Sequence, residues 1–383
     1  MGIYRTLVRP VAFLADAETM HNAAIRTAEV AGRSALACRT VAAMYVRDYE
    51  RLHCSVAGSE FRNPLGLAAG YDKNGRSARF WGSLGFGHIE IGSVSADPSP
   101  GNPRPRLWRI PEDRGLIVNY GLPNEGADRV AVRLSCLAAS APVGVNIVNT
   151  NRGPRACAIT PDAMIDDYIR SIRRLDAHAA YLMLNLSCPN TADGRDFVSG
   201  PGQVRLLLEA VTEAAPRKPV FLKVAPFASE QALESFLEQV DAFPVVRGFG
   251  INLAPGKPVP LRLPGSRLES MPGAVSGAPC RDIMDRALTE LYRRMDRRRY
   301  ALIATGGVFS AADAYHKIKL GASLLQLLTA LVYEGPSVIR RIAAGLNQLL
   351  ERDGFSRVAD AVGAGASLSG KGSGLGLYHN QHV

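Results

Sequence analysis

Short β-branched runs alternate with longer amphipathic stretches through most of the chain. Eight runs read as core strands, at residues 64–69, 88–94, 142–147, 181–186, 220–225, 248–253, 301–305 and 323–328. Most are nearly continuous apolar segments, the pattern of parallel strands buried on both faces. Helical patterns follow them, for example at 229–240, 311–320 and 336–350. Eight βα units between about residue 60 and residue 352 predict an α/β fold of the (β/α)8 TIM-barrel type. A doubly wound sheet is the alternative, but eight such units would make it unusually wide.

Ahead of the first strand, Ile3, Leu7, Val8, Val11 and Leu14 can share a broad helical face, with Arg5 and Arg9 beside it. Asp16 is placed to cap a second, longer helix in which Met20, Ala24, Ala28 and Ala31 recur at helical spacing. Two such Arg-bearing helices suit a membrane interface. The same pattern also suits a helical pair packed on the domain behind it. Three zones are therefore expected: a helical extension over 1–50, a barrel over 51–362, and a flexible Gly/Ser-rich tail over 363–383.

Composition narrows this picture. Apolar residues make up 47% and charged residues 21%, enough for a large core. The net charge of +10 attracts phosphates, nucleic acid or an anionic membrane without choosing among them. Six cysteines in 383 residues are too sparse for a disulfide framework, and no C-x-x-C pair or His cluster completes a metal site, so a reducing compartment is expected. No apolar run reaches the ~18 residues that span a bilayer. Arg9, Pro10 and Asp16 interrupt the N-terminal apolar stretch, which does not read as a signal peptide.

In such a barrel the functional groups gather at the C-terminal ends of the strands. Those ends here carry Ala69, Gly70 and Lys73; Ser93; Asn146; Asn185, Cys188 and Asn190; Lys223; Asn252; Gly306 and Gly307; and Thr329. Two lysines, several carboxamides and a cysteine thus converge on one rim, without a carboxylate pair or a metal-binding histidine set. A bound group that brings its own reactivity fits this inventory better than acid–base hydrolysis. Gly306-Gly307 ahead of a helical segment would leave backbone N–H groups free for a phosphate.

The stretch N-P-L-G-L-A-A-G-Y-D-K-N-G at 63–75 resembles the opening barrel signature of the dihydroorotate dehydrogenase family. G-F-G-H-I-E-I-G-S-V at 85–94, P-G-N-P-R-P-R-L-W-R at 100–109, N-L-S-C-P-N at 185–190, K-V-A-P at 223–226 and G-A-S at 321–323 continue the resemblance in order. It runs from Tyr4 to about Val362. The N-terminal extension is similar to that of the membrane-associated, quinone-reducing class 2 members, in which two helices form an apolar entrance for quinone beside FMN. His21 and Arg109 match positions lining that entrance, while Leu328 stands where an aromatic residue is expected.

The resemblance implies FMN across the barrel mouth, surrounded by Ala69, Gly70, Lys73, Ser93, Asn146, Asn185, Lys223, Gly277, Gly306, Gly307 and Thr329. It implies a hydride leaving one substrate carbon for the flavin while a side chain takes a proton from the neighbouring carbon. Cys188 matches that proton acceptor, a position that is Ser in class 2 members and Cys in the soluble class 1. A thiol is the easier base, being a few per cent ionised at neutral pH. The substrate shell retains Lys73, Asn185, Asn190 and Asn252, but Val118 and Leu253 replace an Asn and a Thr, and Leu122 and Pro123 replace an aromatic residue and an Asn. The implied reaction is oxidation of dihydroorotate to orotate with a quinone as acceptor, at the cytoplasmic side of a membrane. A diverged enzyme for a less polar cyclic amide, and a catalytically silent flavin binder, are the alternatives. RNA binding has no aromatic-basic interleaving to support it, and no oligomeric state is implied.

Overall fold

A computed structural model of the chain describes residues 2–153, 159–187 and 202–366. Cys157, Cys188 and Asn190 lie outside the described residues. Strands are numbered in chain order: β1 Cys54–Val56, β2 Ser59–Phe61, β3 Leu65–Leu67, β4 His88–Val94, β5 Leu107–Ile110, β6 Gly115–Val118 and β7 Val143–Ile147. β8 Tyr181–Asn185, β9 Val220–Val224, β10 Val246–Ile251, β11 Ala274–Gly277, β12 Ala301–Ala304 and β13 Leu324–Leu327 follow. Eight of them close an all-parallel barrel in the order β3-β4-β7-β8-β9-β10-β12-β13. Each of the eight expected core runs supplies one of these strands.

The barrel interior is filled by pairing large side chains with glycines across neighbouring strands. A Cβ on Gly66 would lie 2.1 Å from the His88 ring, and one on Gly144 would lie 2.1 Å from the Tyr181 ring. Those rings occupy the space that the glycines leave, as a closed barrel of this radius requires. The sixth barrel strand ends at Ile251 rather than running to 253. There the Asn252 amide oxygen accepts from the Leu253 N–H at 3.0 Å, and its amide nitrogen donates to Asn185, which draws the chain out of the ladder.

Two small sheets fall outside the alternating pattern. The β1–β2 hairpin sets the Phe61 ring edge-on to His88, 5.6 Å between centroids, at the N-terminal end of the barrel. An antiparallel sheet of β11, β6 and β5 is built from segments that follow β4 and β10.

The N-terminal extension holds one more helix than the apolar spacing indicated. After a turn at Tyr4–Val8 come α1 (Arg9–Leu14), α2 (Ala17–Arg33) and α3 (Ala35–Tyr45). Asp16 caps α2 by accepting from the Thr19 N–H at 2.8 Å. Ser34 breaks the helix and caps α3 through the Ala37 N–H. Several contacts fasten the extension to the barrel; among them, Tyr4 Oη donates to the Val332 carbonyl at 2.7 Å, Arg109 donates to the Ala15 carbonyl at 2.8 Å, and Glu18 pairs with Arg106. At the other end, Gly363 and Gly365 donate backbone hydrogen bonds to Ile318 and Lys319. Among the described residues no helix is long and apolar enough to cross a membrane.

Candidate active site

A cavity of about 560 Å³ opens at the C-terminal ends of the barrel strands. Its floor carries Ser93, Asn185, Lys223, Asn252 and Gln326; its flank carries Val118, Ser276 and Gly277 from the antiparallel sheet. α1 and α2 form its other wall with Ala12, Phe13, Met20, Ala24 and Thr27. One continuous space therefore has a polar floor and an apolar roof.

The floor is organised around a carboxylate that the strand-end inventory omitted. Glu90 lies mid-strand in β4 and is fully buried. Its Oε1 accepts from Asn146 Nδ2 at 2.9 Å and from the Lys223 ammonium at 3.3 Å. Its Oε2 accepts from Gln326 Nε2 at 2.7 Å and from Tyr181 Oη at 3.1 Å. Burial alone would push this carboxyl up, but the Lys223 charge and the three neutral donors outweigh it and hold it below the usual range. The network climbs toward the mouth: Ser93 donates to the Asn146 amide oxygen, Asn185 Nδ2 donates to Ser93 at 3.3 Å, and Asn252 Nδ2 donates to Asn185 at 3.2 Å. An acidic residue between two isoleucines, in H-I-E-I-G-S-V, was the signal available in the sequence.

Lys73 stands at the boundary of the two halves. Its ammonium lies 3.9 Å from the centroid of the Tyr120 ring and 3.3 Å from His21 Nε2 on α2. Burial and the nearby Arg106 charge lower its pKa to about 8, with Glu18 and Asp72 opposing. Burial and the Lys73 charge push His21 well below its usual range, so its neutral ring accepts from the lysine. Among the described residues, the buried Tyr120 hydroxyl on the same wall has no partner. Arg109 stacks on Phe13, 4.7 Å from the ring centroid, beside the apolar end.

Of the residues singled out from sequence, Ala69, Gly70, Lys73, Ser93, Asn185, Lys223, Asn252, Gly277, Gly306, Gly307 and Thr329 all line the cavity. So do Val118, Leu122, Pro123 and Leu253, and at the apolar end His21, Arg109 and Leu328. Asn146 is set back, behind Ser93 and fully buried. Gly306 and Gly307 stand ahead of the helix expected at 311–320, which starts at Ala311, where Ser310 caps it and the Asp313 carboxylate accepts from the Phe309 and Ser310 N–H groups. The two glycines adopt left-handed φ values of 81° and 75°. Among the described residues neither of their N–H groups has a partner.

Comparison with known proteins decides the family. Residues 51–350 match the dihydroorotate dehydrogenase family model. The chain belongs to the dihydroorotate dehydrogenase family. The quinone-dependent dihydroorotate dehydrogenase of Halobacterium salinarum is 39% identical over 359 residues, which is 94% of this chain and 99% of that one. Its counterpart in Nocardia farcinica is 37% identical, with 94% and 97% covered. The crystal structure of DHODH from Eimeria tenella in complex with ferulenol superposes with a TM-score of 0.78 at 26% identity, covering 91% of this chain and 95% of that one.

The family is FMN-dependent, and the cavity suits that cofactor. Gln326 must turn its amide nitrogen toward Glu90, which only accepts, and among the described residues this leaves its buried carbonyl oxygen without a partner. The free N–H groups of Gly306 and Gly307 follow β12, and Thr329 follows β13. Loops after the last two strands are a recurrent phosphate site of such barrels. On the cavity floor, Lys223 is paired to the buried carboxylate of Glu90.

Proposed function

We propose that this protein oxidises dihydroorotate to orotate at the polar floor and delivers the electrons to a quinone through the apolar half of the same cavity. The continuity of those two halves carries the reading, and the quinone-dependent activity named for its relatives supports it. Lys223, Gln326 and the Gly306 and Gly307 N–H groups would hold FMN, which would supply the two-electron acceptor. Lys73, Asn185 and Asn252 bind and orient the substrate, with Asn190 from the 185–190 motif. Cys188 takes the proton from the carbon next to the one that loses hydride. The residue before it is well anchored: the Ser187 hydroxyl donates to the Lys223 carbonyl at 3.2 Å, and its own carbonyl accepts from Asn252 at 3.0 Å. Lys223 offsets negative charge that develops on the flavin side of the reaction. Val118 and Leu253, with Leu122 and Pro123, make the remaining wall apolar, so recognition depends on fewer hydrogen bonds.

The membrane supplies the quinone. Ile3, Leu7, Val11 and Leu14 are between 66% and 89% exposed, on the extension that roofs the apolar half. Such a face with flanking arginines docks peripherally on a bilayer. Two measurements test the proposal. Anaerobic mixing with dihydroorotate must bleach the flavin absorbance, and a quinone must restore it. Leu7→Asn with Val11→Asn must weaken liposome binding without altering the bleaching. A protein that keeps FMN but is not reduced by dihydroorotate would overturn the substrate assignment.

A further inference from the structure

Glu90 is an expensive residue to keep where it is. A carboxylate at the centre of a barrel is costly unless every lone pair is used, and here all four acceptor positions are filled, by donors from β7, β8, β9 and β13. The neighbouring interior positions show that the fold does not need it, since rings of His88, Tyr181 and Phe221 fill the barrel alongside glycines. Two of its four partners, Lys223 and Gln326, reach the cavity wall, whereas Asn146 and Tyr181 lie behind it. The carboxylate therefore fixes the only floor ammonium among the described residues and dictates which end of the Gln326 amide stays free.

We infer that Glu90 is a positioning residue for the flavin: it holds the Lys223 ammonium and the Gln326 amide in place beneath the cofactor and offsets the lysine's charge, which keeps the bound flavin's reduction potential lower than an unopposed lysine would make it. The inference rests on FMN lying over this floor. A cation beside a flavin favours the reduced, negatively charged form, and a carboxylate 3.3 Å from that cation opposes the effect. The groups that face the pair are Tyr181 and His88; Tyr181 donates to Glu90, and His88 lies two residues away on the same strand.

The test is the midpoint potential of FMN-loaded protein, measured by dye-coupled reduction at pH 7 together with the melting temperature. Glu90→Gln is expected to raise the potential by at least 30 mV, a tenfold change in the two-electron equilibrium. Glu90→Asp keeps the charge at a longer reach and should shift the potential in the same direction by less. A lowered melting temperature with an unshifted potential in either loaded variant means that Glu90 only supports the barrel, and overturns the inference. Should Glu90→Gln fail to retain FMN, the Glu90→Asp potential decides by the same criterion. Native protein that takes up no FMN overturns the cofactor reading itself, an outcome distinct from a loaded variant with an unchanged potential.

Discussion

Lys73 offers a quantitative test of substrate recognition. Its pKa falls from 10.5 to about 8, first through burial and then through the Arg106 charge. That depression corresponds to about 3 kcal/mol held against the charged form. The sign follows from proton counts. Between pH 8 and 10.5 the unfolded chain carries this proton and the folded one does not, so the lysine's contribution to stability improves as pH rises through that window. Below pH 8 the charged lysine penalises the ligand-free fold in full, and Lys73→Met should melt later than the native protein at pH 7. A bound carboxylate supplies the missing counter-ion, so orotate should bind best where Lys73 is protonated. Titrating orotate against the flavin absorbance gives Kd at equilibrium, free of catalytic steps. The native Kd should stay flat up to about pH 8 and then rise by up to tenfold per pH unit. Lys73→Met should weaken binding by ~10- to 100-fold at pH 7, the worth of a charge-assisted hydrogen bond, and flatten the profile. Native-like affinity in Lys73→Met, or a native Kd that stays constant to pH 9.5, would refute the assignment.

Further outcomes are expected elsewhere in the site. Cys188→Ala should keep FMN but slow its reduction by ~10²–10⁴-fold in stopped-flow absorbance, the usual contribution of a general base; an unchanged rate removes Cys188 from the chemistry. Val118→Asn with Leu253→Thr should raise kcat/KM for dihydroorotate by ~10-fold or more, since each restored hydrogen bond contributes about 1–3 kcal/mol; a fall would show that the apolar wall already matches the substrate. Gly277→Ala puts a Cβ 2.5 Å from the Arg114 carbonyl at a φ of 99°. It should cost about 1–3 kcal/mol in chemical denaturation and weaken FMN retention; a native denaturation curve with full FMN would contradict this. Glu18→Gln breaks the buried pair with Arg106, whose Nη2 donates at 2.9 Å. Losing one partner of such a pair costs about 3–5 kcal/mol, so α2 should become protease-sensitive and quinone turnover should fall, while flavin reduction at saturating substrate persists.

The local pattern of the chain determined the barrel. Buried parallel strands must be apolar along their whole length, so the eight strands stand out as runs, and a helix start such as Asp16 or Ser229 is announced by a side chain that caps its own neighbours. The rim chemistry was legible for a related reason: strand ends are defined locally, and a barrel places its functional groups there. Val118, Leu253 and Cys188 could be recognised as departures because they stand inside motifs that fix their neighbours. Nothing local marked what Glu90 does. Its four partners lie between 56 and 236 positions away, and only closure of the barrel brings β7, β8, β9 and β13 around it. The antiparallel sheet of β5, β6 and β11 escaped for the same reason, because β6 pairs with a strand from a segment after β10. So did the meeting of Lys73 with His21, 52 positions apart. Backbone propensity and capping act within a turn or two of chain. Charge compensation and cavity shape act across a few ångströms of space, and that proximity exists only once the fold has formed.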